Sequence, residues 1–225
     1  MPAPEAFPRN QDGRPALGHV NLMLDTFLCN ASIEEQVSLS WTLRSNLMFY
    51  FDSLRAAVRG LLSSGSPGIA SAFTTAARTQ LQKTSNTSVL QSPMPIFAIS
   101  SQTASWQPTK RLADMLMRAR SLYGVGMAFS SLDILAAIVR AASELRWPSD
   151  GEMADTLAMI DADIAQALQS CKEETEAGRV EDIRLARESI TKLRIAVEEC
   201  HKQVEAWGGE IPFERSSSSL ELMKL

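Results

Sequence analysis

The hydrophobic positions between residues 183 and 207 fall on one line. Ile183, Ala186, Ile190, Leu193, Val197, Cys200, Val204 and Trp207 follow one another at alternating steps of three and four. That spacing places side chains on a single stripe of a helix, close to the a/d seam of a coiled coil. The other faces are charged. Glu188 precedes Lys192, and Glu198 precedes Lys202, each by four residues, the favourable order for a helical ion pair. Such a helix must cover its stripe, and the segment before it predicts a cover. Ser149 and Glu152 form a capping-box pattern. Met153, Leu157, Ile160, Ile164, Leu168 and Cys171 then repeat the stripe, and 173–179 reads as a turn containing Gly178. Segments of about 150–175 and 180–207 are predicted to pair as an antiparallel hairpin, closed by Gly208 and Gly209.

Upstream, Leu17, Val20, Leu24, Phe27 and Leu28 mark a short helix that stops at Asn30. Ser32 and Glu35 form another capping-box pattern, opening a helix to about Arg59 that is apolar almost all round at Met48–Phe51. Glycine and serine from Gly60 to Gly68 interrupt it, and Ile69–Lys83 predicts the next helix. Residues 84–107 form a Ser/Thr/Pro-rich connector, with Pro95–Ile99 as an apolar island, either an isolated strand or an extended segment tucked on the core. Pro108 suits the first turn of a following helix. Leu112, Met115, Leu116, Leu122 and Tyr123 give that helix its apolar face, and a break is expected near Gly124 and Gly126. Ser130 with Asp133 fits a fresh start, and the strongly apolar run Leu132–Leu145 reads as a buried helix ended by Trp147 and Pro148. Four prolines mark residues 1–15 as a disordered arm, and 209–225, with its serine run Ser216–Ser219, as a flexible tail. The fold class is therefore all-α: a helical bundle over 16–147 followed by an antiparallel helical hairpin over 149–208.

Composition agrees with this reading. Hydrophobic residues make up 45% of 225, aromatics only 6%, and there are ten or so each of Gly and Met (11 and 10), a balance that leans to helix rather than sandwich or barrel. Net charge is −4 but unevenly spread. Residues 71–130 carry six Lys or Arg against one acid, and 150–215 carry sixteen acids against eight bases. Three sparse cysteines, Cys29, Cys171 and Cys200, read as reduced and intracellular. The apolar run Leu122–Ala142 is interrupted by Asp133 and Arg140, which favours a buried helix over a membrane span.

Candidate chemistry is sparse. Three Cys and two His show no zinc-ligand spacing, and neighbours Cys200 and His201 point about 100° apart on a helix. Gly124-Val125-Gly126 lacks the third glycine and the preceding strand of a dinucleotide loop. Asp161 and Asp163 fall on different helix faces, and Glu173-Glu174 reads as solvated charge. No cofactor, metal or catalytic set is assigned. Lys110, Arg111, Arg118 and Arg120 form a basic face, but the acidic chain disfavours direct nucleic-acid binding. Arg215 three residues before Ser218 makes that serine a candidate phosphorylation site.

One order of motifs carries a resemblance. Cys29-Asn30-Ala31-Ser32 precedes an apolar helix ending in Phe49-Tyr50; a Ser-rich stretch, Pro95-Ile96-Phe97-Ala98-Ile99-Ser100 and a helix from Lys110 follow. Residues 17–125 thus resemble the C-terminal regulatory region of fungal binuclear zinc-cluster transcription factors of the aflatoxin-regulator type. The family's six-cysteine cluster, which binds DNA, has no counterpart here, and the hairpin is not part of the likeness. The resemblance implies a regulator of secondary metabolism that lacks its own DNA reader, acts through protein contacts, and resides in the nucleus.

The expected function is non-catalytic: an interaction or regulatory protein binding a protein partner or a second copy. Its candidate partner-binding residues are Ile183, Ile190, Leu193, Val197, Val204 and Trp207. The alternatives are an enzyme with a site inside the bundle around Trp41, Tyr50, Trp106 and Tyr123, or a membrane-active helical protein using Leu122–Ala142.

Overall fold

The computed structural model describes residues 26–30, 67–83 and 90–223. Among them the chain is predominantly helical, as its periodicity predicts. Residues 26–30 are helical, and the Asn30 side chain donates back to the Thr26 carbonyl at 2.7 Å. Helix α1 spans Pro67–Lys83, followed by strands β1 (Phe97–Ile99) and β2 (Trp106–Pro108). Helices α2 (Lys110–Gly124), α3 (Ala128–Ser143), α4 (Glu152–Glu176), α5 (Ile183–Trp207) and α6 (Glu214–Leu222) complete the order. The helix expected from Ser32 to Arg59 lies outside the described residues.

The centre of the fold is α3. Its apolar residues come in a near-continuous run rather than a stripe, which suits a helix covered on most sides. Leu132, Ile134, Leu135, Ile138, Val139 and Ala142 are all fully buried. Helix α5 packs on α3 more extensively than on any other element, and α2 and α4 also lie against α3. The break before α3 falls where the glycines predict it. Gly126 adopts φ +73°, a conformation that L side chains rarely adopt, and α3 restarts at Ala128.

The predicted hairpin takes a different form. The N-cap Asp182 accepts from the Arg184 and Leu185 amides and opens α5; Gly208 at φ +74° closes it. Trp147, just before α4, meets Trp207, at the end of α5, edge to face with centroids 5.4 Å apart. The two helices therefore run in opposite directions. Yet they touch only slightly, because the α5 stripe faces α3 instead of α4. Periodicity defines which face is apolar and leaves its partner open; the nearly all-round apolar surface of α3 covers the α5 stripe. Removing one buried member, as in Leu193→Ala, costs about 2–5 kcal/mol.

Two local expectations are also corrected, and one alternative is decided. Helix α4 starts at Glu152 with Gly151 as its N-cap, at φ 104°, not at the Ser149 capping box. Pro108 ends β2, and α2 starts after Thr109. Within the connector, the isolated strand is ruled out for Pro95–Ile99, and the alternative, an extended segment tucked on the core, holds. Phe97 pairs with Pro108 and Ile99 with Trp106 in an antiparallel ladder, while Ile96 and Phe97 are buried.

The segment read as a flexible tail is ordered through Met223. Phe213 is 2% exposed, Ser216 0% and Leu220 2%, and these residues dock α6 onto α4 and α5. Two apolar anchors seven residues apart supply the docking that the serine run concealed.

Candidate functional site

Two kinds of feature concentrate polar chemistry: side-chain hydrogen bonds that join one element to another, among them the partly buried Arg120–Asp163 ion pair, and a cleft where α1, α3, α4 and α5 approach one another. The first kind accounts for most of the charged residues singled out by sequence. On α2, Arg120 grips Asp163 of α4 with two nitrogens, Nε at 2.9 Å and Nη2 at 2.7 Å, and the Tyr123 hydroxyl donates to the same carboxylate at 3.0 Å. The Arg120 pKa is raised, chiefly by its hydrogen bond to Asp163, and burial foremost pushes the Tyr123 phenol up. Arg118 donates to the Leu81 carbonyl at 2.8 Å, tying α2 to the end of α1. Arg111 donates to the carbonyls of Leu90, at 2.9 Å, and Met94. The predicted basic face is thus half-buried and largely engaged within the fold. Three of its four members bind carbonyls or a carboxylate, and only Lys110 is exposed.

Glu174 corrects the expectation of solvated charge at Glu173-Glu174, while Asp161 points to a different element from Asp163, as their different helix faces predict, and is likewise buried. Asp161, 8% exposed, receives the Ser216 amide at 2.9 Å and the Arg215 amide at 3.2 Å. Glu174, 5% exposed, accepts the Ala128 amide at 2.6 Å. Each carboxylate caps the N-terminus of a different helix, where free amides and the helix dipole favour an anion. Burial raises the Glu174 pKa, opposed by the Ala128 bond and by Arg78.

The cleft, with a volume of ≈ 370 Å³, lies beside Glu174. Met127, Phe129 and Leu185 give it apolar walls; Arg78, Arg179 and Lys192 alternate around it with Asp133, Glu181 and Glu188. Arg78 donates to the Val125 carbonyl at 2.6 Å, and its pKa is lowered by burial. Lys192 bridges Glu188 at 2.9 Å and Asp133 at 3.5 Å. Its pKa is raised, first by the Glu188 bond, and that of Glu188 is lowered by the same bond. The cleft combines an apolar lining with charges of both signs, a chemistry suited to amphipathic side chains. A second cleft, of ≈ 370 Å³, is bordered by Trp106 and Trp147.

The candidate partner-binding stripe is mostly internal. Ile190, Leu193, Val197 and Val204 are at most 4% exposed, because α3 covers them. Trp207 is half-buried against Trp147. Of the six, Ile183 stands clearly in solvent, 54% exposed, near Leu185 at 52%. Sequence reasoning passed over Leu185 because it falls off the seam.

Of the aromatics considered for an internal site, Trp106 borders the second cleft and Tyr123 is bonded to Asp163; Trp41 and Tyr50 lie outside the described residues. Ser218 is exposed on α6, its hydroxyl donating to the Glu214 carbonyl at 3.0 Å. Among the described residues, no three His, Cys, Asp or Glu side chains form a group able to hold a metal, and no helix is long and apolar enough to cross a membrane. Compared with protein-family models, curated proteins and solved structures, the chain gives no match.

Proposed function

We propose that the chain is a non-catalytic helical interaction protein. The observation that carries this reading is a division of labour among its side chains. The buried acids Asp161, Asp163 and Glu174 and the arginines Arg78, Arg111, Arg118 and Arg120 tie one helix or loop to another. Large apolar residues at the start of α5, Ile183 and Leu185, instead face solvent, and Leu185 borders the mixed-charge cleft. Exposed apolar surface rimmed by charge is the chemistry of a protein contact. In its finer form the proposal is a regulator like those that residues 17–125 resemble, acting in the nucleus through a protein that reads DNA.

A photo-crosslinking residue at position 185 of the full chain, expressed in its native cell, tests the reading. The expected result is a discrete protein adduct that is missing when the same probe replaces Ala113, exposed on α2. Light scattering over a concentration series then separates a foreign partner from a second copy. A monomer at every concentration, with no adduct above that of the control position, would overturn the reading.

A further inference from the structure

The cleft bordered by Trp106 and Trp147 has walls from three segments and no part in the helix-to-helix bonds. Trp106 stands on β2, Trp147 and Pro148 belong to the α3–α4 connection, and Met153 lies in the first turn of α4. Its volume of ≈ 370 Å³ falls within the range of about 300–1,000 Å³ usual for small-ligand sites. These walls are held from outside. Trp147 packs edge to face on Trp207, with centroids 5.4 Å apart. Gln107, next to Trp106, donates to a Glu152 carboxylate oxygen at 3.0 Å and ties β2 to α4. Two backbone bonds fix the turn before Trp106: the Ser100 amide donates to the Ser105 carbonyl and the Ala104 amide to the Ser100 carbonyl, both at 2.9 Å. Ala104 adopts a left-handed φ of 51° to make that turn. The cleft is therefore preformed, which spares a ligand the cost of ordering it.

The charges around the cleft define its ligand. Asp150 and Glu152 line it on either side of Gly151, and Arg146 is the one cation among its described lining residues. Asp150 is exposed and has no ion-pair or hydrogen-bond partner among the described residues. Both acids sit at the N-terminal end of α4, where the helix dipole favours an anion. That end already carries its anions, so an anionic ligand would meet like charge. Indole faces attract cations through their quadrupole, more strongly than other aromatic rings. Pro148 and Met153 add apolar contact beside them. Carboxylates, indoles and apolar walls together select a cation that carries its own apolar surface. We propose that the Trp106–Trp147 cleft binds an alkylated ammonium group, either the head of a small quaternary amine or a methylated lysine side chain of a protein. The ammonium rests against the two indoles. Asp150 and Glu152 balance its charge without hydrogen bonds, since a quaternary nitrogen has no proton to donate. The cleft is separate from the exposed start of α5, so this site can fail while the interaction reading stands.

The test is calorimetric titration of the full chain with choline and, in parallel, with a short peptide carrying one trimethyllysine. Saturable binding of at least one of them, with Kd below about 10 mM, is expected. The neutral carbon isostere of choline, 3,3-dimethylbutanol, has the shape without the charge and should bind at least about tenfold more weakly. Trp106→Ala should weaken ammonium binding at least about tenfold, and Trp106→Phe should restore much of it. The pair Asp150→Asn/Glu152→Gln, at exposed positions, should weaken binding about threefold or more and flatten its dependence on salt. Should Trp106→Ala not fold by circular dichroism, the isostere and the acid pair decide on folded protein. Tighter binding of choline than of the peptide makes a small amine the ligand, and the reverse makes it a methylated protein segment. Saturable binding of neither, or equal affinity for choline and its carbon isostere, overturns the proposal. Displacement of choline by a polyproline peptide whose own binding ignores Asp150→Asn/Glu152→Gln also overturns it, because the indoles would then read proline instead of a cation.

Discussion

Asp163→Ala is the substitution that most directly probes how the helices are joined. The Asp163 carboxylate receives two nitrogens of Arg120 and the Tyr123 hydroxyl. Its side chain is 10% exposed and that of Arg120 28%. Breaking a fully buried pair costs about 3–5 kcal/mol, whereas an exposed pair contributes about 0–1 kcal/mol. This pair lies nearer the buried limit, but Arg120 keeps a path to water, which lowers the cost. The Tyr123 hydroxyl, 3% exposed as a residue, has no such path and loses an acceptor worth about 1–3 kcal/mol. Together these place the loss at about 2–4 kcal/mol. For a chain of this size, each kcal/mol moves the melting midpoint by about 2–4 °C, so a loss of 3 kcal/mol lowers Tm by about 6–12 °C. The assay is urea unfolding followed by circular dichroism, with calorimetry for Tm. Combining Asp163→Ala with Arg120→Met should cost less than the sum of the two, by about 1–3 kcal/mol, since neither charge is then stranded. A loss below about 1 kcal/mol, with strict additivity, would falsify the claim that this carboxylate joins α2 to α4.

Three further outcomes are expected. Burial holds the Glu174 carboxyl above its ordinary range, so the unfolded chain releases that proton first; the contribution of this group is full below about pH 4 and declines as pH rises towards neutrality. Glu174→Gln lacks that decline, so its stability relative to wild type should improve from pH 4 to 7 in paired urea titrations, and parallel profiles would refute the assignment. Gly126→Ala should cost about 1–2 kcal/mol, because φ is +73° there and the new methyl meets the Arg78 guanidinium; a neutral result in thermal melts would contradict the left-handed turn. In native protein a thiol reagent should label Cys29, which is exposed, well before Cys171 and Cys200, which are buried. Burial also raises both buried thiols, Cys200 to about 12, and equally fast labelling of all three would refute that burial.

The helices were legible where periodicity was strong. Bounds of α5, its Gly208 cap and the break at Gly124 follow from the chain itself. The partner of the α5 stripe was not legible, because a stripe shows which face must be covered and leaves several helices able to cover it. Burial of Asp161, Asp163 and Glu174 was missed for a related reason. Each carboxylate meets groups forty or more residues away, and nothing local distinguishes such an acid from a solvated one. The arginines of α2 looked like a free basic face because their acceptors are mostly backbone carbonyls, which leave no mark in sequence. Helix α6 did leave a signal, Phe213 and Leu220 seven residues apart, hidden by the serines between them. Leu185 could have been noticed as a large apolar residue off the seam.

The central place of α3 bears on how the chain is made. Synthesis proceeds from the N-terminus, yet the surface that covers α3 most fully belongs to α5, which is complete only at Trp207, well over sixty residues after Leu135. At roughly 5–20 residues per second on the ribosome, an apolar helix waits several seconds for its cover. During that interval the nascent chain displays its stickiest surface, and a ribosome-associated chaperone would find its natural target in the segment 128–143.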